Sequence, residues 1–450
     1  MHRESATTRQ LYRDIWILAW PIAAANFLSR GAAIVDTAMV GHLSSVALAG
    51  LGIAQIPVFL AMAVQRGLGI GGQVLIAYHT GAEEPERRFK VARAVVALST
   101  LVSLGLSVLL WLIAPTLCRL MGADDAMLAQ ALRFLGVYYL IQPFSGAFFV
   151  FSCIFQGVGD AKTPLYVTLG VNMLHVLTAY ATIFGHFGFP RLGVAGSAIG
   201  LGFSELTGAV ILAVIAQRRR LWAANLKNLS LRAALAVWRL GGPAVGERLL
   251  VSGMQGVYYR FLTGFGTAAM AAHRIGIDME ATSFLPAMGF GQAATTLVGQ
   301  HLGAGDPKTA RRAGWMTTQI AMVFMGALAL SFYFFADGWM HLFTTDTEVI
   351  ALGKRFCAVA AAIQLPLAFA IVLAGALRGA GETRWVMMTP FVGGWLVRLP
   401  LSYLLGYTWG YGLMGVWWTM MADWMLRCVL ITFKFKYLKF RLGDKVTTPP

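Results

Sequence analysis

Twelve apolar stretches, most of them about twenty residues or longer, follow one another through this 450-residue chain and leave no room for a soluble domain. They lie near 14 to 40, 47 to 78, 91 to 116, 127 to 156, 164 to 185, 192 to 217, 234 to 262, 268 to 301, 313 to 336, 349 to 377, 386 to 408 and 412 to 434. A run of that length matches the hydrocarbon core of a bilayer when it is helical. In lipid the backbone must satisfy its own polar groups, which leaves helices and closed barrels, and runs this long and continuously apolar read as helices. The chain is therefore expected to be an all-α polytopic membrane protein of about twelve transmembrane helices.

The balance of 36 Lys+Arg over 20 Asp+Glu, a net charge of +16, raises nucleic acid as a partner, and the positions of the charges exclude it. Arg3, Arg9 and Arg13 precede the first run, and Arg87, Arg88 and Lys90 follow the second. Arg218, Arg219, Arg220 and Lys227 follow the sixth, Lys308, Arg311 and Arg312 the eighth, and Lys434, Lys436, Lys439, Arg441 and Lys445 the last. Connections on the alternate side, near 41 to 46, 263 to 267 and 409 to 411, hold no Lys or Arg. By the positive-inside rule both termini are expected in the cytoplasm and the protein in the inner membrane, with an even number of spans.

An internal repeat divides the chain. Trp16, Leu18 and Pro21 recur 222 positions later as Trp238, Leu240 and Pro243. Gly81 to Pro85 returns at the same offset as Gly303 to Pro307, and Gln156-Gly157-Val158-Gly159-Asp160 as Arg378-Gly379-Ala380-Gly381-Glu382. Gly193 and Gly196 recur as Gly412 and Gly415, at an offset of 219. Each half has an even number of spans, so both enter the membrane from one side, as two parallel six-helix repeats about an axis along the membrane normal. The expected organisation is an N-terminal lobe at 1–220, a basic cytoplasmic linker at 221–233 and a C-terminal lobe at 234–450.

Several local patterns are weaker than they look. Basic residues before Ile15 to Pro21 imitate a signal peptide, but the repeat places a close relative of this segment mid-chain. Gly67, Gly69 and Gly72 match the dinucleotide fingerprint, yet they sit inside an apolar run where close helix packing explains them. Cys118, Cys153, Cys357 and Cys428 show no metal or disulfide spacing. No P-loop, metal-binding His pair or Ser-x-x-Lys arrangement has supporting context, so no enzyme chemistry and no cofactor are expected.

The repeated loops carry a family resemblance. Gln156 to Asp160 and Leu377 to Arg384 resemble the repeated loop of multidrug and toxic compound extrusion (MATE) transporters. Val298-Gly299-Gln300-His301-Leu302-Gly303-Ala304-Gly305 is similar to the end of that family's eighth helix, and Val35-Asp36-Thr37 with Val40-Gly41 to its first. The resemblance spans nearly the whole chain. It implies a two-lobe secondary antiporter that exports organic, cationic or amphipathic compounds on a proton or sodium gradient. Membrane lipid and small organic substrates are the expected partners, and the expected state is a monomer.

Ionisable groups inside spans are costly and hence functional candidates. Ala25, Ser29, Ala32 and Asp36 share one small, polar helix face suited to lining a cavity, and the resemblance places the coupling carboxylate at Asp36. An ion pair with Arg30 or with an Arg of another span is the structural alternative. On the fifth span the family commonly carries an Asn and, four residues later, an Asp; here His175 and Ala179 hold those places, with Asn172 one turn earlier. On the sixth, Leu201 stands where many relatives carry a hydroxyl. Sodium wants several oxygen ligands, so the reading favours protons, with Asp36, Asn172 and His175 as the ion-coupling set.

In the second half Tyr258 takes the place of Asp36. Glu247 and Glu280 are the candidates for attracting a cationic substrate, set against pairing with Arg248, Arg260 or Arg398, and Tyr258 joins them as a substrate-binding residue. Arg274 and Asp278 have the spacing of an ion pair. Glu205 and Asp423 stand isolated, without an assigned role. Sodium coupling, and flipping of a lipid-linked saccharide or other amphiphile, are the competing functions.

Overall fold

The computed structural model describes residues 7–224 and 229–438, so Arg3, Lys227, Lys439, Arg441 and Lys445 of the basic clusters lie outside the described residues. Helices α1 (Thr8–Gly41), α2 (Ser45–Gly81), α3 (Pro85–Leu120), α4 (Asp125–Gly157), α5 (Lys162–Phe184) and α6 (Val194–Arg218) form the first repeat. The second runs through α7 (Leu231–Leu262), α8 (Thr267–Gly303), α9 (Pro307–Phe334), the short α10 (Ala336–His341) and α11 (Thr347–Gly379). It ends with a broken span of α12 (Thr383–Pro390) and α13 (Leu399–Tyr403), then α14 (Gly412–Lys436). Among the described residues there is no strand, and each of the twelve expected runs is mostly helical, with 164–185 and 192–217 overrunning α5 and α6 by one or two residues and 313–336 crossing the break between α9 and α10.

Turns are short because their residues cap the helices. Ser44 accepts from Ala47 N at 3.0 Å, Asp124 from Met127 N at 2.7 Å and Asp306 from Thr309 N at 2.9 Å, which satisfies amide groups that a helix start leaves unpaired. Pro85 and Pro307 open their helices, where a missing N–H costs nothing. The eleventh span departs from a regular helix: Phe391–Arg398 and Leu404–Thr408 wind as wider π-turns on either side of α13. Pro390 and Pro400 each remove a ladder hydrogen bond there.

Among the described residues, eight helices are long and apolar enough to cross a membrane by length and composition. The helices α7, α8 and α14, of 32, 37 and 25 residues, are also long enough. Ionisable residues such as Glu247, Glu280 and Asp423 dilute them.

The described chain forms two compact units, Ala24–Val245 and, separately, the residues up to Ala23 with those from Gly246 onward. The division falls inside α1 and α7, two residues beyond Pro21 and Pro243, and not at the 221–233 connection. Repeat-related contacts explain why. In the first unit, a Cβ at Gly67 would stand 2.7 Å from Val245 N and 2.9 Å from Gly241 O of α7. In the second, a Cβ at Gly289 would stand 2.9 Å from Ala23 N and 3.0 Å from Ala19 O of α1. The glycine opens a backbone-to-backbone approach in each case. The fingerprint glycines are thus packing residues: Gly69 faces Phe149 and Cys153, and Gly72 faces Val95.

Within Ala24–Val245, α2 packs on α3 and α4, and α6 on α4 and α5. The other unit repeats the plan with α8 on α9 and α11, and α11 on α14.

Candidate functional site

The first half-site grows from α1. Asp36 is held on the inner side of that helix, with 13% of its side chain exposed, while Ile34 and Val35 beside it face outward. Its Oδ2 accepts a hydrogen bond of 2.7 Å from Ser197 Oγ on α6. The Nε2 of His175 on α5, a side chain 7% exposed, stands 3.5 Å from the other oxygen, Oδ1. Neither Oδ1 nor Nε2 has a hydrogen-bond partner, so the carboxylate has one oxygen anchored and the other facing an imidazole.

The α5–α6 contact sets this arrangement. Thr182 Oγ1 donates to Gly196 O at 2.8 Å, and a Cβ at Gly200 would lie 2.6 Å from Ala179 N, so the two helices touch at the backbone. The threonine hydroxyls of α5 are spent on carbonyls: Thr178 donates to Leu174 O at 2.6 Å and Thr182 to Thr178 O at 2.7 Å. Ser197 supplies the hydroxyl that Leu201 lacks, one turn earlier on the same helix. Its role was not read from the sequence, where a single Ser among Gly, Ala and Ile carries no signal. Asn172 lies one turn before His175, with its amide nitrogen buried and without a partner, and among the described residues no bond joins it to Asp36.

In the other unit the candidate residues are each met by arginine. Glu247 Oε1 accepts from Arg378 Nη2 at 2.6 Å, a partner outside the three considered from the sequence. Arg378 holds the repeat position of Gln156, so the partner comes from the repeated loop. Glu280 is 8% exposed and lies in the field of Arg398, one of the three. The Arg398 guanidinium lies 3.9 Å from the centroid of the Tyr258 ring, a cation–π contact. Tyr258 is fully buried, and its hydroxyl donates to Val416 O at 2.9 Å. Where Asp36 offers a carboxylate to α5 and α6, its counterpart thus offers a phenol spent on a neighbouring backbone.

Asp423 is not isolated. It is fully buried and held by Arg427 through bonds of 2.6 and 2.8 Å, with Arg398 at 3.9 Å. The i, i+4 spacing of Asp423 and Arg427 was the available signal. Arg274 and Asp278 do pair, at 3.0 Å. Glu205 accepts a hydrogen bond from Ser145 of α4.

At the helix ends, outside the membrane spans, Asp160 caps the turn into α5. It accepts from Thr163 N at 3.0 Å, Thr163 Oγ1 at 2.5 Å and Arg219 Nη1 at 2.5 Å. Burial works against its charge, yet the bonds from Thr163 and Arg219 outweigh burial and hold its carboxyl below the usual range. Its repeat counterpart Glu382 lies 3.3 Å from Lys434, near the end of α14.

The MatE family model matches residues 21–181 and 243–404, one match in each half. A relative from Thermotoga maritima described as a probable multidrug resistance protein NorM is 29% identical over 437 residues, 94% of this chain and 91% of its own length. A Bacillus subtilis relative, described as the uncharacterized transporter YisQ, is 26% identical and is matched over 93% of this chain and 92% of its own. Among solved structures, a mutant of the Vibrio cholerae MATE transporter VcmN superposes with a TM-score of 0.90 at 19% identity, over 96% of this chain and 99% of that one. That likeness bears out the fold of twelve helices in two repeats.

Proposed function

This chain belongs to the MatE family, and from that premise we propose that it is a secondary antiporter exporting organic cations and amphipathic compounds, driven by protons exchanged at Asp36. The multidrug resistance relatives support export by a multi-pass membrane transporter. The observation that carries the coupling reading is the Asp36 carboxylate, anchored by Ser197 on one oxygen and faced by His175 on the other. A group so placed can take a proton from one side and lose it to the other as the protein alternates access. Sodium would require a shell of oxygens. Around Asp36 the described side chains offer one hydroxyl and an imidazole, and an imidazole suits a proton.

Asn172 tunes this site from one turn away, and Glu247, Glu280 and Tyr258 are the second-half residues we assign to the substrate, the fully buried Tyr258 acting through Arg398, whose guanidinium lies 3.9 Å from its ring centroid. In this reading the protein works as a monomer in the inner membrane with both termini in the cytoplasm, placed there by the basic clusters. The test is accumulation of a panel of hydrophobic cations and neutral dyes in a pump-deficient bacterium. Expression should lower accumulation of at least one cation, and dissipating the proton gradient should restore it. Flipping of a lipid precursor with no compound exported would favour the flippase reading instead.

A further inference from the structure

Where the first half holds Asp36, Ser197 and His175, the repeat sets a different trio in the second. Tyr258 stands 222 positions after Asp36, and Val416 stands 219 after Ser197, the offset of Gly412 from Gly193. Asp36 accepts from the Ser197 hydroxyl and the Tyr258 hydroxyl donates to Val416 O at 2.9 Å, so the two contacts correspond. The third member has a counterpart as well. His175 would recur at 397, but a π-turn bond spans one residue more than an α-turn bond, and through the wide turn of Phe391–Arg398 it is Arg398 that meets Tyr258. A fixed cation thus takes the place of a titratable imidazole.

That cation lacks a hydrogen-bonded counter-charge. Arg398 is 3% exposed, its Nη1 lies 3.9 Å from Asp423 Oδ2, beyond hydrogen-bond distance, and its Nε and Nη2 have no partner. Asp423 is already neutralised: Gly393 leaves room for it, and Arg427 Nε and Nη2 hold its two oxygens at 2.6 and 2.8 Å. No ion pair or hydrogen bond among the described residues joins Arg398 to Glu280. The nearby hydroxyls are spent, Ser402 on Arg398 O at 2.7 Å and Thr419 on Val416 O at 2.6 Å. Two more donors stand by the same tyrosine. The His273 ring lies 5.7 Å from that of Tyr258, and the Trp417 ring stacks on His273 at 6.5 Å. Both residues are fully buried, and neither the His273 nitrogens nor Trp417 Nε1 has a partner. An indole only donates, and a neutral imidazole carries one N–H. The cluster is rich in donors, and burying a guanidinium is costly unless a negative group meets it.

We propose that Arg398 receives the anionic group of an amphoteric organic substrate, a carboxylate on a compound that also bears a cationic centre. The unpartnered nitrogens Nε and Nη2 share one edge of the guanidinium plane, and such an edge binds a carboxylate through two parallel N–H bonds. Arg427 grips Asp423 through the same pair of nitrogens, so the second half already contains one example of the contact. The Tyr258 ring, 3.9 Å from the guanidinium, covers a face of it and leaves that edge to the ligand. Arginine keeps its charge at every working pH, so the contact persists while protons are exchanged elsewhere. Glu247 and Glu280, assigned above to the substrate, serve its cationic end.

This inference rests on the export reading and names its substrate class, and one set of measurements separates the two. Full-length protein in lipid nanodiscs, with empty discs as the blank, is titrated with a rhodamine that carries a free carboxylate and with its ethyl ester, which shares the cationic ring system. Fluorescence anisotropy reads both affinities. Wild type should bind the acid roughly tenfold more tightly than the ester, the least that a hydrogen bond to a charged group is worth. Arg398→Gln should weaken the acid to the level of the ester and leave the ester unchanged, and Arg398→Lys should keep part of the preference. Neither variant strands Asp423, which Arg427 still holds. Equal affinity of wild type for the two dyes, or no saturable binding of the acid, would overturn the inference without any variant. An Arg398-dependent affinity for both dyes that rises with added chloride would also overturn it, by assigning the edge to a free inorganic anion. Dye movement into sealed vesicles under an imposed pH gradient is the separate readout. An acid that binds through Arg398 but is moved by no pH gradient would overturn the antiport reading and leave the Arg398 contact standing.

Discussion

His175 Nε2 stands 3.5 Å from Asp36 Oδ1, near enough to feel its charge and without a formed hydrogen bond. A pair held like this can close when a proton arrives and open when it leaves. Replacing the imidazole by an isosteric amide removes the proton carrier and keeps the polarity. His175→Asn is expected to reduce proton-driven export roughly a hundredfold, the low end of what a positioned acid or base contributes. His175→Gln should do no better, and dye efflux from cells at matched expression checks both.

Ser197 donates the one hydrogen bond that Asp36 receives from the described side chains. A bond to a charged group is worth about 1.5 to 3 kcal/mol when its partner would otherwise be left unsatisfied. Ser197→Ala should therefore weaken export strongly and change its pH profile, whereas Ser197→Thr, which keeps the hydroxyl, should retain most of the activity. Efflux measured across a series of external pH values distinguishes them.

Glu247 gives a different expectation now that Arg378 is known to hold it at 2.6 Å. Removing one partner of a largely buried pair leaves the other charge stranded, at a cost of about 2 to 4 kcal/mol. Glu247→Gln should lower the thermal unfolding temperature of purified protein, and the double variant Glu247→Gln/Arg378→Gln should recover most of the loss. If the double variant exports neutral compounds normally and cations poorly, Glu247 also serves the substrate.

Asp160 permits a pH test outside the membrane. Its folded carboxyl sits below the usual range because the bonds from Thr163 and Arg219 outweigh burial. A depressed value means stability that is present above the unfolded pKa of about 4 and is lost as pH falls through the folded value. Asp160→Asn keeps an acceptor and loses the charge that Arg219 meets, so it should be less stable than wild type near neutral pH, and the gap should shrink as pH falls below about 4 and vanish below the folded value. Thermal unfolding at several pH values reads it directly.

Hydropathy and the 222-residue repeat made the helices and their grouping legible, because a spanning segment is written locally in apolar run length. Asp36 was legible for the converse reason, as a charge inside such a run. Ser197 was not, since its partner lies 161 residues away and a hydroxyl among small residues is unremarked in sequence. The same holds for Glu247 and Arg378, 131 positions apart, and for Glu205 and Ser145, 60 apart. The mid-helix division at Ala23 and Val245 was equally hidden, because an unbroken helix gives no boundary signal where its packing partner changes.

The central claim is proton coupling at Asp36, and transport by purified protein in proteoliposomes tests it most directly. A fluorescent organic cation is followed under an imposed pH gradient without sodium, and then under an imposed sodium gradient without a pH difference. The pH gradient alone should drive transport, the sodium gradient alone should not, and folded Asp36→Asn should be inactive under both. Robust transport on sodium alone, or full activity of Asp36→Asn, would contradict the account.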